Sequence, residues 1–207
     1  MTERLTRKER QAHTRRCLLE AAARVFAHRG LAQASVDEVA ADAGFTKGAV
    51  YANFGSKEEL FLAMLDARFR RRLEDMDRAL STDEPPEVQA RVAGRDFIAF
   101  LNSDPEWRRL FIEAALHASR DEVFRTKLQD HYAQMRARMA GLLEARRAAG
   151  GFDPGVPADQ LATMLFAMAN GVGFEQLVEP DAVPDDMFAT MLELFALGLA
   201  ARQSSST

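Results

Sequence analysis

The segment Ser35–Glu59 places two helix-start signatures on either side of a glycine turn. Ser35 can accept a hydrogen bond from the backbone N–H of Glu38, whose carboxylate can reach back to the Ser35 amide. Gly44 follows the apolar face of this first helix, at a position where a left-handed residue ends a helix and turns the chain. Thr46 then opens a second helix. The segment therefore predicts two short helices joined by a sharp turn.

The second helix, Thr46–Phe54, has about nine residues and cannot be stable alone in water. It must be held by its neighbours through its apolar side, which carries Ala49, Val50 and Phe54. Its other side carries Lys47, Gly48, Tyr51 and Asn53. Gly55 ends it, and the pair Ser56 and Glu59 repeats the capping-box spacing to begin a long helix reaching about Leu80.

The polar side of this short helix suits a nucleic acid. Lys47, Tyr51 and Lys57 supply charge and a hydroxyl that fit phosphate oxygens and base edges, and Gly48 lets the backbone come close. For any one of these residues, an ordinary solvated role is the better interpretation. Together with the two capping boxes and the glycine turn, they favour DNA binding.

The stretch from about Arg15 to Met64 carries a pattern that consists of Ala21, Ala22, Phe26, Gly30, Ser35, Val39, Ala40, Ala43, Gly44, Gly48, Tyr51, Phe54 and Lys57. This pattern resembles that of the TetR/AcrR family of transcriptional regulators. Ala34 stands where the family commonly has Thr, and Asn53 stands where His or Tyr is frequent. The resemblance implies that the DNA-contacting positions are Ser35, Thr46, Lys47, Gly48, Tyr51, Asn53 and Lys57.

The whole chain is predicted to be all-α, with about nine helices, because apolar residues recur three and four apart and the breaks are Pro or Gly clusters. We expect a three-helix helix-turn-helix head and a larger helical domain for ligand binding and dimerisation. The predicted divisions are a basic arm (1–14), the head (15–60), the larger domain (61–203, with 60–80 as a connecting helix) and a polar tail (204–207).

Charge is divided between these regions. Residues 1–80 carry a net charge of +3 and residues 81–207 a net charge of −7. Basic residues in the arm either meet phosphates or form a solvated tail, and the pattern leaves both interpretations open. The single cysteine, Cys17, excludes an intramolecular disulfide, and no signal peptide or membrane span is expected. These features favour a cytoplasmic protein without a membrane partner.

The last two predicted helices, about Ala158–Val178 and Pro184–Ala201, carry more apolar residues than one buried stripe requires. A two-fold four-helix contact between subunits would cover the remainder, as in the family, although a fully internal pair in a monomer is the alternative. The predicted interface residues are Leu161, Leu165, Val172, Phe188, Met191, Leu192, Phe195 and Leu199.

A region rich in aromatic rings and thioethers suggests an effector pocket, since such side chains adapt to varied apolar ligands. Its predicted lining is Phe97, Phe100, Trp107, Phe111, His117, Met135, Met139, Met164 and Met168. For each residue alone, ordinary core is the better interpretation, and the resemblance is what favours a pocket. Glu113 and His117, one helical turn apart, can pair or bind metal, and the lack of a third ligand favours pairing.

These features predict a homodimeric repressor that binds a near-palindromic double-stranded operator and is released by a small apolar or amphipathic effector. The alternative is a DNA-binding regulator or architectural protein without a small-molecule ligand. A helical enzyme is disfavoured because the four histidines are scattered and no nucleophile–base pair, metal-spaced cluster or phosphate loop is present. No catalytic residue, metal site or cofactor is therefore predicted.

Overall fold

The computed structural model describes residues 6–103, 105–149, 153 and 155–204. Within these residues the chain forms nine α-helices, one short 3-10 helix at Pro180–Ala182, and no strand. The helices are α1 Arg7–Gln33, α2 Val36–Ala43, α3 Lys47–Phe54, α4 Lys57–Ala79, α5 Pro86–Ser103, α6 Pro105–Ala118, α7 Glu122–Ala148, α8 Ala158–Val178 and α9 Met187–Ser204. The all-α prediction is confirmed.

The two chain ends differ from the predicted boundaries. Thr6 caps α1 by accepting from the Glu9 amide at 3.3 Å, while the Glu9 carboxylate accepts from the Thr6 amide at 2.7 Å. Residues 7–14 of the predicted arm therefore belong to α1, because a capping box that the prediction overlooked starts the helix early. Ser204 ends α9 rather than beginning the tail. Residues 1–5 and 205–207 lie outside the described residues.

The chain divides into two compact units. The first comprises Met1–Arg68 and Leu110–His131, and the second comprises Phe69–Arg109 and Tyr132–Thr207. The predicted boundary near residue 60 differs from this division for two reasons: α4 runs without interruption from Lys57 to Ala79, and Leu110–His131 pack with the predicted head.

The core of the first unit joins α1, α2, α3 and the start of α4. Phe26 and Phe61 meet edge to face with ring centroids 5.1 Å apart, and both side chains are fully buried. Burying a side chain of this size contributes about 1.5–3 kcal/mol. Leu110, Ala114 and Phe124 are also buried, so the segment from α6 and α7 adds to the core of this unit.

In the second unit, α5 and α9 pack most extensively, and Gly94 permits their close crossing. A Cβ atom on Gly94 would lie 2.5 Å from the Cα atom of Ala189, which is closer than any real contact. One turn further along α5, the rings of Phe97 and Phe188 lie 4.8 Å apart. This crossing is therefore fixed by a residue without a side chain and by an aromatic pair beside it.

Candidate functional site

Local capping signals build the α2–turn–α3 segment as the sequence predicts. The Ser35 hydroxyl accepts from the Glu38 amide at 3.2 Å, and the Glu38 carboxylate accepts from the Ser35 amide at 2.9 Å. Gly44 ends α2 in the left-handed conformation, at φ 71°. Thr46 then caps α3 by accepting from the Ala49 amide at 3.3 Å. The turn is short because both of its ends are set by these caps.

The inward side of α3 is held by the core of the first unit. Val50 and Phe54 are buried, as predicted. On α1, the guanidinium of Arg15 lies 4.3 Å from the centre of the Phe54 ring and donates to the Asn53 carbonyl at 2.9 Å. An eight-residue helix thus obtains its stability from its neighbours.

The outward side of α3 is exposed and polar. Thr46, Lys47, Gly48 and Tyr51 are all exposed, and Tyr51 retains 45% of its accessible surface despite its large apolar ring. A Cβ atom on Gly48 would meet nothing closer than the Thr46 hydroxyl oxygen, at 3.8 Å. No contact within the described part of the chain therefore requires a glycine here, whereas close approach of an outside backbone would.

Lys47 is paired with an acidic residue that sequence reasoning missed. Its ammonium lies 2.8 Å from the Asp37 carboxylate on α2, and this hydrogen bond raises the pKa of Lys47. Both side chains are more than half exposed, so the pair is weak and a phosphate can compete for the lysine. The sequence signal for this pair was the acidic residue in the first turn of α2, ten positions before Lys47.

Three predicted DNA-contacting residues have partners inside the first unit. The Ser35 hydroxyl donates to the Glu38 carboxylate at 2.9 Å, and the Asn53 side-chain amide donates to the Ala49 carbonyl at 2.8 Å. Lys57 is half-buried, and its ammonium donates to the backbone carbonyls of Leu31, near the end of α1, and Ala34, just before the α2 cap. These contacts favour structural roles, and DNA contact by these three side chains stays a prediction.

The predicted effector-pocket residues fall into both compact units, and whether they line one site stays a prediction. Phe111 and His117 belong to the first unit and the other predicted residues to the second. Met135 is buried in the core, Met164 is 42% exposed, and the guanidinium of Arg72 lies against the rings of Phe97 and Phe100. The side chain of Trp107 lies outside the described residues.

The second unit contains a different, partly open cavity with a volume of about 140 Å³. None of the eight predicted pocket residues with described side chains lines it. Its wall is mostly aliphatic and aromatic, and Gln89, Glu144, Arg146 and Arg147 contribute polar groups. Five of its lining residues had been predicted for the dimer interface: Leu161, Leu165, Leu192, Phe195 and Leu199.

The predicted dimer residues therefore require correction. Leu161, Val172, Phe188, Leu192 and Leu199 are at most 9% exposed within a single chain, and Leu165, Met191 and Phe195 are partly buried. The five buried residues face inward because α8 and α9 each carry two apolar stripes, and these five lie on the stripe that forms the protomer's own core. Interface contact by the three partly buried residues stays a prediction.

The second stripe of α8 is exposed. It comprises Met164, Ala167, Gly171, Phe174 and Val178, spaced at three and four residues, and Phe174 and Val178 are 52% and 64% exposed. On α9, Leu194, Leu197 and Gly198 are exposed at the same spacing. By length and composition alone α8 could also span a membrane, and 28% of its most apolar window is buried in the chain.

Glu113 and His117 have separate partners. The Glu113 carboxylate accepts from the Leu31 amide at 2.7 Å, and the His117 ring lies 4.0 Å from Asp121 and packs edge to face with Phe124. Among the described residues, no group of three or more His, Cys, Asp or Glu side chains could hold a metal ion.

A helix-turn-helix unit whose second helix presents hydroxyl, ammonium and glycine positions to solvent defines a DNA-binding protein of the helix-turn-helix class. Two family models match the chain: one describes bacterial regulatory proteins of the tetR family, at residues 18–64, and the other the C-terminal region of BetI-type transcriptional repressors, at residues 86–200. The chain belongs to the TetR family and is a DNA-binding transcriptional regulator, of the repressor type that the second model describes.

Individual relatives agree with this assignment. The chain is 29% identical over 159 residues to the HTH-type transcriptional repressor SCO4008 of Streptomyces coelicolor, covering 76% of this chain and 77% of that protein. A TetR-like transcriptional regulator from Rhodococcus sp. RHA1 is 26% identical with a TM-score of 0.57, covering 95% and 99% of the two chains. FadR from Bacillus subtilis in complex with stearoyl-CoA shares the fold at 16% identity, with a TM-score of 0.65 over 87% and 96% of the chains.

Proposed function

We propose that the protein is a homodimeric repressor that seats one α3 helix from each protomer in successive major grooves of a near-palindromic operator and is released by a small effector. The observation that carries this proposal is the exposed outward side of α3, where Thr46, Lys47, Gly48 and Tyr51 have no part in the core. Hydroxyl and ammonium groups suit phosphates and base edges, and an uncrowded glycine admits a close backbone.

The homodimer is supported by the exposed apolar stripes of α8 and α9. A monomer rarely exposes large side chains at helical spacing such as Met164, Phe174 and Val178. Gly171 and Gly198 lie within these stripes, and a Cβ atom on either would meet nothing within 4 Å. A second copy of the same helix pair would cover both stripes, and the glycines would let the helices approach closely. This also explains the hydropathy of α8 without a membrane.

The effector is supported by the cavity of the second unit. Side chains such as Leu80, Leu165 and Phe195 favour an apolar or amphipathic molecule. Arg146 is already paired with Asp77, and Arg147 with Glu144, so the polar groups at the cavity do not present unpaired positive charge. Stearoyl-CoA, bound by the FadR of similar fold, shows that this fold accepts a molecule with a long apolar chain. A repressor acting on an operator would reside in the cytoplasm.

The function can be tested by selecting bound duplexes from a random DNA pool and measuring affinity for the selected operator. Lys47→Ala and Tyr51→Ala should each weaken operator binding by about 1–3 kcal/mol while thermal stability stays nearly unchanged. Lys127→Ala is the matched control, because Lys127 is also an ion-paired lysine of the first unit but lies on α7. Failure to enrich any duplex at low ionic strength would refute the proposal.

A screen of apolar and amphipathic compounds against the protein–operator complex then tests effector release. A compound that lowers operator affinity, and that loses this effect when Leu165→Trp fills the cavity, would support the repressor with an effector. If no compound shifts operator affinity, the architectural or ligand-free alternative is favoured.

A further inference from the structure

Near its C-terminal end α1 contains a backbone break that only glycine adopts readily, and residues 30–34, from this break to the residue before the α2 cap, form the link between α1 and α2. Gly30 has φ 74° and ψ 170°, so the helical hydrogen-bond ladder is interrupted just before Leu31. The Gly30 position is also crowded, since a Cβ atom there would lie 2.5 Å from a Glu113 carboxylate oxygen. The break therefore needs glycine for its backbone angles, and a Cβ atom there would also displace the Glu113 carboxylate from α6.

Glu113 accepts a hydrogen bond from the backbone amide that follows this break. Its carboxylate accepts from the Leu31 amide at 2.7 Å, and Leu31 is only 2% exposed. A buried amide must have an acceptor, and a charged acceptor at this distance makes a strong hydrogen bond. Glu113 is 82 positions after Leu31 in the chain, so this contact ties α6 to the link that precedes α2 and α3.

The opposite side of the same link is held by Lys57. Its ammonium donates to the Leu31 carbonyl at 2.9 Å and to the Ala34 carbonyl at 3.1 Å. The link is thus fixed by a carboxylate on its amide side and by an ammonium on its carbonyl side. The next residue, Ser35, caps α2, and the turn after α2 leads directly into α3.

We propose that Glu113 is a positioning residue for operator binding: its carboxylate fixes the link between α1 and α2 and thereby the placement of α3. The residue does not touch DNA in this proposal, which rests on the proposed function as an operator-binding repressor. Because α6 is one helix from Pro105 to Ala118, a displacement of α6 by about 1 Å would break the hydrogen bond to Leu31 and release the link.

The direction in which a Glu113 substitution changes operator affinity distinguishes a positioning role from simple electrostatics. Removing a carboxylate from a DNA-binding unit lowers its repulsion from the polyanion, so electrostatics alone predicts tighter binding. Positioning predicts the opposite: Glu113→Ala should weaken operator binding by at least about fivefold. Glu113→Gln keeps an acceptor oxygen at the same reach and should restore affinity to the wild-type level or better.

The matched control is Glu106→Ala, which removes a glutamate from the same helix but from the second unit, where it pairs with Arg109. It should leave operator affinity unchanged. Affinities are measured well below the unfolding temperature of every variant, so a merely stabilising role for Glu113 would give wild-type affinity. A folded Glu113→Ala variant with wild-type or tighter binding overturns the proposal, as does a Glu113→Gln variant as weak as Glu113→Ala.

Hydrogen exchange at the Leu31 amide gives an independent measurement. Exchange should be slow in the full-length wild type and in Glu113→Gln and much faster in Glu113→Ala. If Glu113→Ala fails to fold, exchange is measured at the Leu31 amide in the wild type and in Glu113→Gln. Exchange as fast as that of an exposed amide in these two proteins overturns the proposal. If the wild type binds no duplex, the repressor function itself fails and the positioning role fails with it, while slow exchange would still show the contact.

Discussion

The outward side of α3 and the exposed stripe of α8 are built alike but differ in chemistry. Each lies on a helix whose opposite side is packed in a core, and each contains a glycine with open space above it, Gly48 and Gly171. On α3 the surrounding groups are hydroxyl and ammonium, whereas on α8 they are thioether, aromatic and aliphatic. The difference matches the two partners proposed above, a polyanion for α3 and a second copy of the chain for α8.

Gly94 is a useful contrast to these two glycines, because the space that a side chain on Gly94 would need is already occupied. It lies directly against Ala189 of the same chain, while Gly48 and Gly171 face outward with nothing from the described chain so close. A helical glycine against its own protomer fixes an internal crossing, and a helical glycine with open space leaves room for an external partner. The predictions below test this distinction.

The largest expected effect is on the α8 stripe. Phe174→Glu would place a charge from each protomer in the proposed dimer contact and should give monomers in sedimentation experiments. Losing the second half-site should lower operator affinity by roughly 10²- to 10⁴-fold, because two linked contacts become one. Val123→Glu is the control, since Val123 is also an exposed apolar residue, at 70%, but lies in the first unit. A Phe174→Glu dimer would place the interface elsewhere.

Gly48→Ala tests the outward side of α3 without removing any group. The added methyl meets no close neighbour, so thermal stability should rise by up to about 1 kcal/mol from helix propensity. Operator affinity should nevertheless fall by about 1–3 kcal/mol if a DNA backbone approaches this position. Gly141→Ala, at an open glycine of α7, should raise stability alone. Unchanged operator binding by Gly48→Ala would show that nothing approaches this glycine closely.

Asp37→Asn should produce a smaller effect of the opposite sign. It frees the Lys47 ammonium and removes a negative charge beside the proposed interface, so operator binding should tighten by about 0.2–1 kcal/mol. The gain should shrink as salt is added, because both charges are exposed. Titrations at several salt concentrations measure it, and weaker binding would indicate that Asp37 positions Lys47 productively.

The smallest effect concerns the cap of α2. Hydrogen bonds from the Ser35 amide and then the Ser35 hydroxyl hold the pKa of Glu38 below its ordinary value of 4.5. Since the folded pKa is depressed, the stabilisation is present above the ordinary pKa and is lost as pH falls through the folded value. As pH is lowered from roughly 6 to 3, the thermal unfolding midpoint should therefore fall less in Glu38→Gln than in the wild type. If the unfolding midpoints of the two proteins depend equally on pH, the ionised Glu38 carboxylate in this cap does not contribute to stability.

The helices and the α2–turn–α3 segment could be predicted from sequence because their signals are local. Ser35, Gly44 and Thr46 act within four residues of themselves, and the inward position of Val50 and Phe54 follows from helical spacing. The partners of Lys47 and Lys57 could not be predicted, because they depend on how α1, α2 and α4 meet in three dimensions.

The larger domain shows a different limit of sequence reasoning. On α8, Leu161, Leu165 and Val172 form one apolar stripe, and Phe174 lies on another with the same spacing. Hydropathy identifies both stripes and does not indicate which faces the core. Only the packing of α8 within its own unit decides this, so five of the predicted interface residues lie inside the protomer and the exposed stripe was overlooked.

The support that Arg15 and the core give α3 from behind has a consequence for how such a repressor can diversify. Because Phe54 and Val50 anchor this helix, and Lys47 and Tyr51 do not, substitutions on the outward side should cost little folding free energy, and the proposed function predicts that they alter the readout of bases. New target sequences are therefore accessible through changes at a few surface positions, on an unchanged scaffold.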